Sequence, residues 1–162
     1  MENENDMNAE GSNSSQTALV ILRLTLGVMF VWTFFENLGK GLYSPGGYSG
    51  LINGYITNGQ APAAWKTVMA FMASHASVAA PLQGGAELSF GVLLLSGFMT
   101  RLVAFAAFGF LSSLWVSEWG TAWIWELLVP MMVAVSLIVG AAGRKWGVDS
   151  VMARKYPRLP IW

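Results

Sequence analysis

Residues 17–38 read TALVILRLTLGVMFVWTFFENL, a 22-residue stretch in which Arg23 is the only charge before Glu36. A helix rises about 1.5 Å per residue, so roughly 20 apolar residues cross a hydrocarbon core. The stretch is therefore a membrane-spanning helix. No small-residue cleavage pattern follows it, so it is read as retained. Upstream, residues 1–16 (MENENDMNAEGSNSSQ) carry four acids, Glu2, Glu4, Asp6 and Glu10, and no basic leader region. That composition predicts a disordered acidic tail.

Downstream, GKGLYSPGGYSGLINGYITNGQAP is punctuated by Gly, Pro and Asn and predicts turns. A connector of this length is expected to cap the bundle or to carry function. Within the same long loop, residues 62–75 (PAAWKTVMAFMASH) place Trp65, Val68, Met69 and Met72 on one helical face. This pattern predicts a short amphipathic helix at the membrane interface. Three further apolar runs, at about 78–98, 101–117 and 123–142, complete the expected fold. The prediction is an all-α integral membrane protein, a four-transmembrane-helix bundle over residues 17–142, followed by a basic tail over 143–162. Pro130 lies inside the last run, where neighbouring helices can supply the lost contacts.

Hydrophobic residues make up 54% of the chain and charged residues 11%, a balance suited to lipid rather than water. With four spans both termini share one side. That side holds Arg101 and the cluster Arg144, Lys145, Arg154, Lys155 and Arg158, against Lys40 and Lys66 on the other. Counting basic residues places both termini in the cytoplasm and the protein in the inner (cytoplasmic) membrane. The C-terminal cluster is expected to meet anionic lipid or another subunit. Six tryptophans, Trp32, Trp65, Trp115, Trp119, Trp123 and Trp125, fall toward the outer side, as an interfacial belt would. With no Cys and one His, His75, the chain offers no thiolate metal site, iron–sulfur cluster or bis-His haem of its own. Nucleotide-binding loops, hydrolase triads and nucleic-acid patches are also absent.

Charged groups inside spans are costly, so each requires a partner or a purpose. Arg23 could snorkel to headgroups or turn inward. Glu87 sits mid-span among small residues in GGAELSFG. If the first two spans are adjacent and antiparallel, Arg23 and Glu87 are expected to form a buried polar network. Such a pair is either structural or handles protons or ligand. Glu36 and Lys40 are spaced i,i+4 at the outer end of the first span. Glu126 lies one turn before Pro130, which cannot donate to the Glu126 carbonyl. Glu36, Lys40, Glu126 and Trp123 are candidate contacts for a quinone or a partner chain, and exposed surface roles are the alternative.

The segments ILRLTLGVMFVWTFFENLGK, GGAELSFGVLLLSGFMTRLVA and WIWELLVPMMVAVSLIVGAAGRKWGVDSVM, in this order, resemble the DoxX/DoxD-like membrane family. The matching positions are Arg23, Gly27, Lys40, Glu87, Arg101, Gly143, Arg144 and Asp149. The resemblance implies a four-helix membrane bundle and kinship with the membrane subunit of thiosulfate:quinone oxidoreductase. It points to a small subunit of a larger redox or energy-conversion complex, with a quinone as the implied cofactor and other membrane subunits and lipids as partners. The long first loop and the lack of a fused sulfur-handling portion depart from that pattern. A non-catalytic subunit that docks and shields a cofactor-bearing chain is the alternative, and a small-solute carrier a weaker one, because no internal repeat is visible.

Overall fold

The computed structural model describes residues 2–140 and 142–156, with the side chains of 2–10 and 12 left aside. The described residues form seven α-helices: α1 (Glu2–Gly39), α2 (Pro45–Asn58), α3 (Ala63–Ser74), α4 (Ala76–Ser96), α5 (Thr100–Ser117), α6 (Ile124–Gly140) and α7 (Val148–Lys155). A single 3₁₀ turn, Ala142–Arg144, precedes α7. Three segments are long and apolar enough to cross a membrane: Asn13–Gly39 of α1, and all of α4 and α5. The fourth apolar helix, α6, is shorter at 17 residues.

Two expectations are corrected. The polar N-terminal stretch is not a loose tail but the continuation of α1. Apart from Gly11 it contains no strong helix breaker, and Lys145 holds its base by donating to the Asn13 carbonyl and, at 2.7 Å, to the Thr17 hydroxyl. The Gly-rich segment after the first span is likewise not a run of turns, because Pro45–Asn58 is helical. Ser44 caps it through its hydroxyl, which accepts from the Gly47 N–H at 3.1 Å, and Pro45 occupies the first turn. Tyr48, Leu51, Ile52 and Tyr55 repeat at helical spacing between the glycines and supply an inward face. Lys66 closes the other end of α2 by donating to the carbonyls of Ile56 and Gly59, both at 2.8 Å. The basic tail expected over 143–162 also acquires structure in α7; Arg158 lies outside the described residues.

Helix α1 packs antiparallel along α4, and α6 packs on α5 and on α1. The α1–α4 register is fixed by two glycines. A Cβ added at Gly91 would come within 2.6 Å of Val31 and 3.1 Å of the Gly27 carbonyl, and one at Gly27 within 2.9 Å of Leu95. Small residues here let two backbones touch, the usual means of joining helices where lipid removes the hydrophobic drive. At one end of the bundle Gly97 terminates α4 in the left-handed conformation (φ 66°). The main core, with Leu26, Phe30, Leu94, Leu111 and Leu137, lies between α1, α4, α5 and α6. A second, around Tyr48, Met69 and Ala80, seats the α2–α3 hairpin.

Gly91→Leu is therefore expected to destabilise the bundle by about 1–3 kcal/mol or more, through overpacking against backbone. Gly109→Ala, which meets nothing within 4 Å, is expected to leave the thermal midpoint in detergent within a degree or two of the parent, on the order of a surface change.

Candidate functional site

Arg23 and Glu87 are both buried, at 1% exposure each, yet they do not meet. The expected pairing is overturned by the glycine contact. It sets Arg23 beside Gly97, ten residues along α4 from Glu87, which is about 15 Å of helix. The two charges therefore found separate polar clusters.

At the Arg23 end the guanidinium donates to three main-chain carbonyls: Ala142 at 3.1 Å, Trp146 at 3.0 Å and Lys145 at 3.4 Å. These carbonyls belong to the 3₁₀ turn and to the two residues that follow it. Asp149 completes the arrangement from α7. Its carboxylate accepts from the N–H groups of Met99 (2.6 Å) and Thr100 (2.9 Å), at the start of α5, and its own N–H donates to the Gly97 carbonyl at 2.9 Å. A carboxylate at a helix N-terminus satisfies open donors and complements the dipole. Arg101, a further position of the family pattern, reaches the Val139 carbonyl at 3.1 Å. All three side chains bind backbone rather than open space, so this end is a structural lock.

The Glu87 end is different. Oε2 of Glu87 accepts from the Asn37 amide at 3.2 Å and from the Tyr43 hydroxyl, and Oε1 accepts from Gln83 at 3.0 Å. The three partners are neutral. Tyr43 is held in place by stacking on Phe34 (5.3 Å between ring centres). Burial, followed by the neighbouring carboxylate, raises the Tyr43 hydroxyl above its ordinary value, so it remains a proton donor.

Glu87 opens onto a cavity of about 510 Å³ between α1, α2, α4, α5 and α6. Lys40, Tyr55, Gln83, Glu118 and Glu126 also line it, while Phe30 and Phe110 contribute apolar wall. Phe30, Phe90 and Phe110 brace one another, with ring centres 5.4 to 6.3 Å apart. Of the residues expected at a site, Lys40 and Glu126 do reach this cavity, and Pro130 lies in its wall. Glu36 does not line it but holds the Lys40 ammonium at 2.6 Å on the exposed side. Trp123 lines a separate cavity of about 260 Å³ with Trp115, Trp119 and Glu118. Trp65 turns inward and donates to the Ser117 hydroxyl at 2.8 Å.

Glu118 is the functional candidate that sequence reasoning passed over. It caps the end of α5, lines both the central and the Trp-lined cavity, and accepts from the Tyr55 hydroxyl at 2.9 Å. Burial raises its pKa above the ordinary 4.5; the Tyr55 hydrogen bond opposes the rise, and Glu126 adds to it. Tyr55 is raised in turn by burial and by Glu118. A carboxyl that resists ionising beside a hydroxyl that resists ionising can hold or pass a proton. The signal was an acidic residue one position beyond an apolar span, in VSEWG.

The sequence model of one family, described as DoxX, matches residues 18–119. The chain belongs to the DoxX family. This makes it a multi-pass membrane protein, in keeping with its three long apolar helices. The matched region includes Arg23, Lys40, Tyr55, Glu87 and Glu118 and stops short of Glu126, Pro130 and Asp149. No curated protein and no solved structure matches the chain.

Because the Glu118 pKa is raised by folding, the stability it contributes is fully present below its unfolded value and is lost as pH rises through the folded one. The thermal midpoint of the DoxX protein should therefore fall as pH climbs above the ordinary carboxylate range, and Glu118→Gln should flatten that fall. At the other end, Arg23→Ala removes the donor of three carbonyls, one buried and two part-buried, and is expected to cost roughly 3–5 kcal/mol, the scale of losing a buried charge. Scanning fluorimetry and the yield of monodisperse protein would register that loss.

Proposed function

We propose that this DoxX protein is a four-span membrane subunit of a redox complex whose central cavity receives the headgroup of a quinone. The observation that carries the proposal is the content of the 510 Å³ cavity, where the ammonium of Lys40 and the amide of Gln83 stand with the carboxyls of Glu87, Glu118 and Glu126 around an aromatic wall. Its volume falls in the range of about 300–1,000 Å³ typical of small-molecule sites, which combine apolar walls with a few convergent polar groups. Phe30 and Phe110 supply faces for a planar ring. Both hydrogen-bond donors and acceptors are at hand, as carbonyl and hydroxyl forms of one ring require.

A bound quinone would supply two-electron, two-proton chemistry. In the proposal the electrons come from a partner chain, because a chain with one His and no Cys lacks the ligands for a haem pair or a thiolate cluster. Lys40 orients a ring oxygen by donating to it, drawing on the charge it otherwise shares with Glu36. The Tyr55–Glu118 pair holds a proton at the cavity wall, and Glu126 offers a second acceptor. Glu87, held by three donors, positions Asn37 and Gln83.

Helix α6 completes the four-span bundle in this reading. Its packing against both α1 and α5 supports that role, as do Trp123 and Trp125, stacked 5.0 Å apart at its start. The basic residues Arg101, Arg144, Lys145, Arg154 and Lys155, at the end opposite the cavity, support a cytoplasmic location for both termini.

Titration of the purified protein in nanodiscs with a short-chain ubiquinone analogue is expected to quench tryptophan fluorescence saturably. Lys40→Ala should weaken that binding about tenfold, the equivalent of one charge-assisted hydrogen bond. Absence of saturable binding, both for the isolated protein and for material purified with its associated chains, would reject the proposal in favour of a docking subunit.

A further inference from the structure

A second chamber, of about 340 Å³, adjoins the central cavity and shares Ile52, Gln83, Phe110, Leu114 and Ser117 with it as common wall. Its remaining lining comes from α2, α3, α4 and α5 and is almost entirely apolar, with Trp65, Val68, Met69, Met72 and Leu82 prominent. The four residues whose spacing on 62–75 marked one helical face thus all serve one compartment.

Most of the few polar groups of this chamber have their donors engaged within the protein, the Tyr48 hydroxyl being the exception. The Trp65 indole N–H donates to Ser117, and the Ser117 hydroxyl donates to the Ser113 carbonyl at 2.8 Å. The Ser113 hydroxyl donates to the Phe110 carbonyl at 2.7 Å. Gln83 stands at the boundary with its amide turned to Glu87, on the central-cavity side. A polar solute would find little beyond the Tyr48 hydroxyl to replace its lost hydration, so the chamber suits a hydrocarbon occupant.

The chamber also has a mouth. Val68 on α3 and Leu82 on α4 both line it, yet they are 46% and 66% exposed. Each lies seven residues from His75, the residue joining the two helices, so they flank the opening of one hairpin at the same distance from its bend. Met69 and Met72 stand just inside, and their unbranched thioethers adapt to the shape of a chain.

We propose that the ligand is a long-tailed amphiphile whose isoprenoid or alkyl tail lies in this apolar chamber and leaves for the bilayer between Val68 and Leu82. The proposal rests on the quinone reading of the polar cavity, with Gln83 marking the junction of head and tail. It commits the site to a lipid-soluble quinone arriving sideways from the membrane, not to a small soluble quinone arriving from water.

Affinities of a short-chain ubiquinone analogue and of a multi-isoprenyl ubiquinone are measured in nanodiscs for the parent, Val68→Trp and Leu82→Trp. Both substitutions fall at exposed positions, so the fold tolerates them. The parent is expected to prefer the long-tailed ligand, and either substitution to reduce that preference at least tenfold. A long-tailed quinone bearing a diazirine on its tail is expected to label Met69 or Met72. An unaltered preference in the variants would overturn the proposal. So would the lack of any preference in the parent, or labelling confined to the outer face of α1 around Trp32 and Phe35. Failure of the short-chain analogue to bind at all would instead reject the quinone reading of the central cavity.

Discussion

The contact between Gly27 and Gly91 governs where the buried charges of α1 and α4 lie. Helices that touch backbone to backbone cannot slide past one another without driving a side chain into a main-chain carbonyl, so this contact fixes depth as well as distance. It places Arg23 opposite the left-handed end of α4 and leaves Asn37 opposite Glu87. Two charges that could have neutralised each other in mid-membrane are thereby kept apart. Each must then be satisfied by what its own end of the bundle provides.

The two ends solve that problem in opposite ways. Around Arg23 the donors go to carbonyls in and just after the 3₁₀ turn, and Asp149 collects the N–H groups at the start of α5. Charge is spent on holding α1, α4, α5, α6 and α7 in one place. Around Glu87 the partners are an amide, a hydroxyl and a second amide, all neutral side chains that can exchange partners without unravelling a helix. Next to them lies space. A rigid end and an adaptable end in one small bundle would give the proposed ligand site the fixed frame it needs while its polar lining stays responsive.

Three of the expected spans were legible because apolar runs of this length have one physical meaning, and the helical face of 62–75 was legible from its spacing. Helix α2 was not, since seven residues of its neighbourhood from Ser44 to Gly54 are Gly, Pro or Ser, and those read as turns unless the apolar residues between them are followed at intervals of three and four. Glu87 announced itself by its cost in a membrane, and Gln83 could have been found one turn before it. Tyr43 could not, because its approach depends on how a loop folds back onto α4. The Arg23–Glu87 pairing failed for a definite reason. Matching the ends of the two spans sets Arg23 opposite Val92 or Leu93, whereas the glycines set it two or three residues farther from Glu87 and its side chain reaches on to Gly97; sequence shows glycines without showing which of them touch.

In the proposed function, the placement of Glu118 bears directly on how an acidic cavity would accept a neutral ring. Glu87, Glu118 and Glu126 share one cavity with Lys40, whose charge is already engaged by Glu36. Three ionised carboxylates around a water-poor space would repel one another and would not tolerate the loss of solvent that a bound headgroup brings. Burial and Glu126 both favour the protonated form of Glu118, which relieves that repulsion. Glu118, which accepts from the Tyr55 hydroxyl at 2.9 Å, lies on the wall common to the central cavity and the Trp-lined one. In the proposed function, the group that makes the cavity electrically tolerable to a quinone is thus also the group best placed to exchange protons with it.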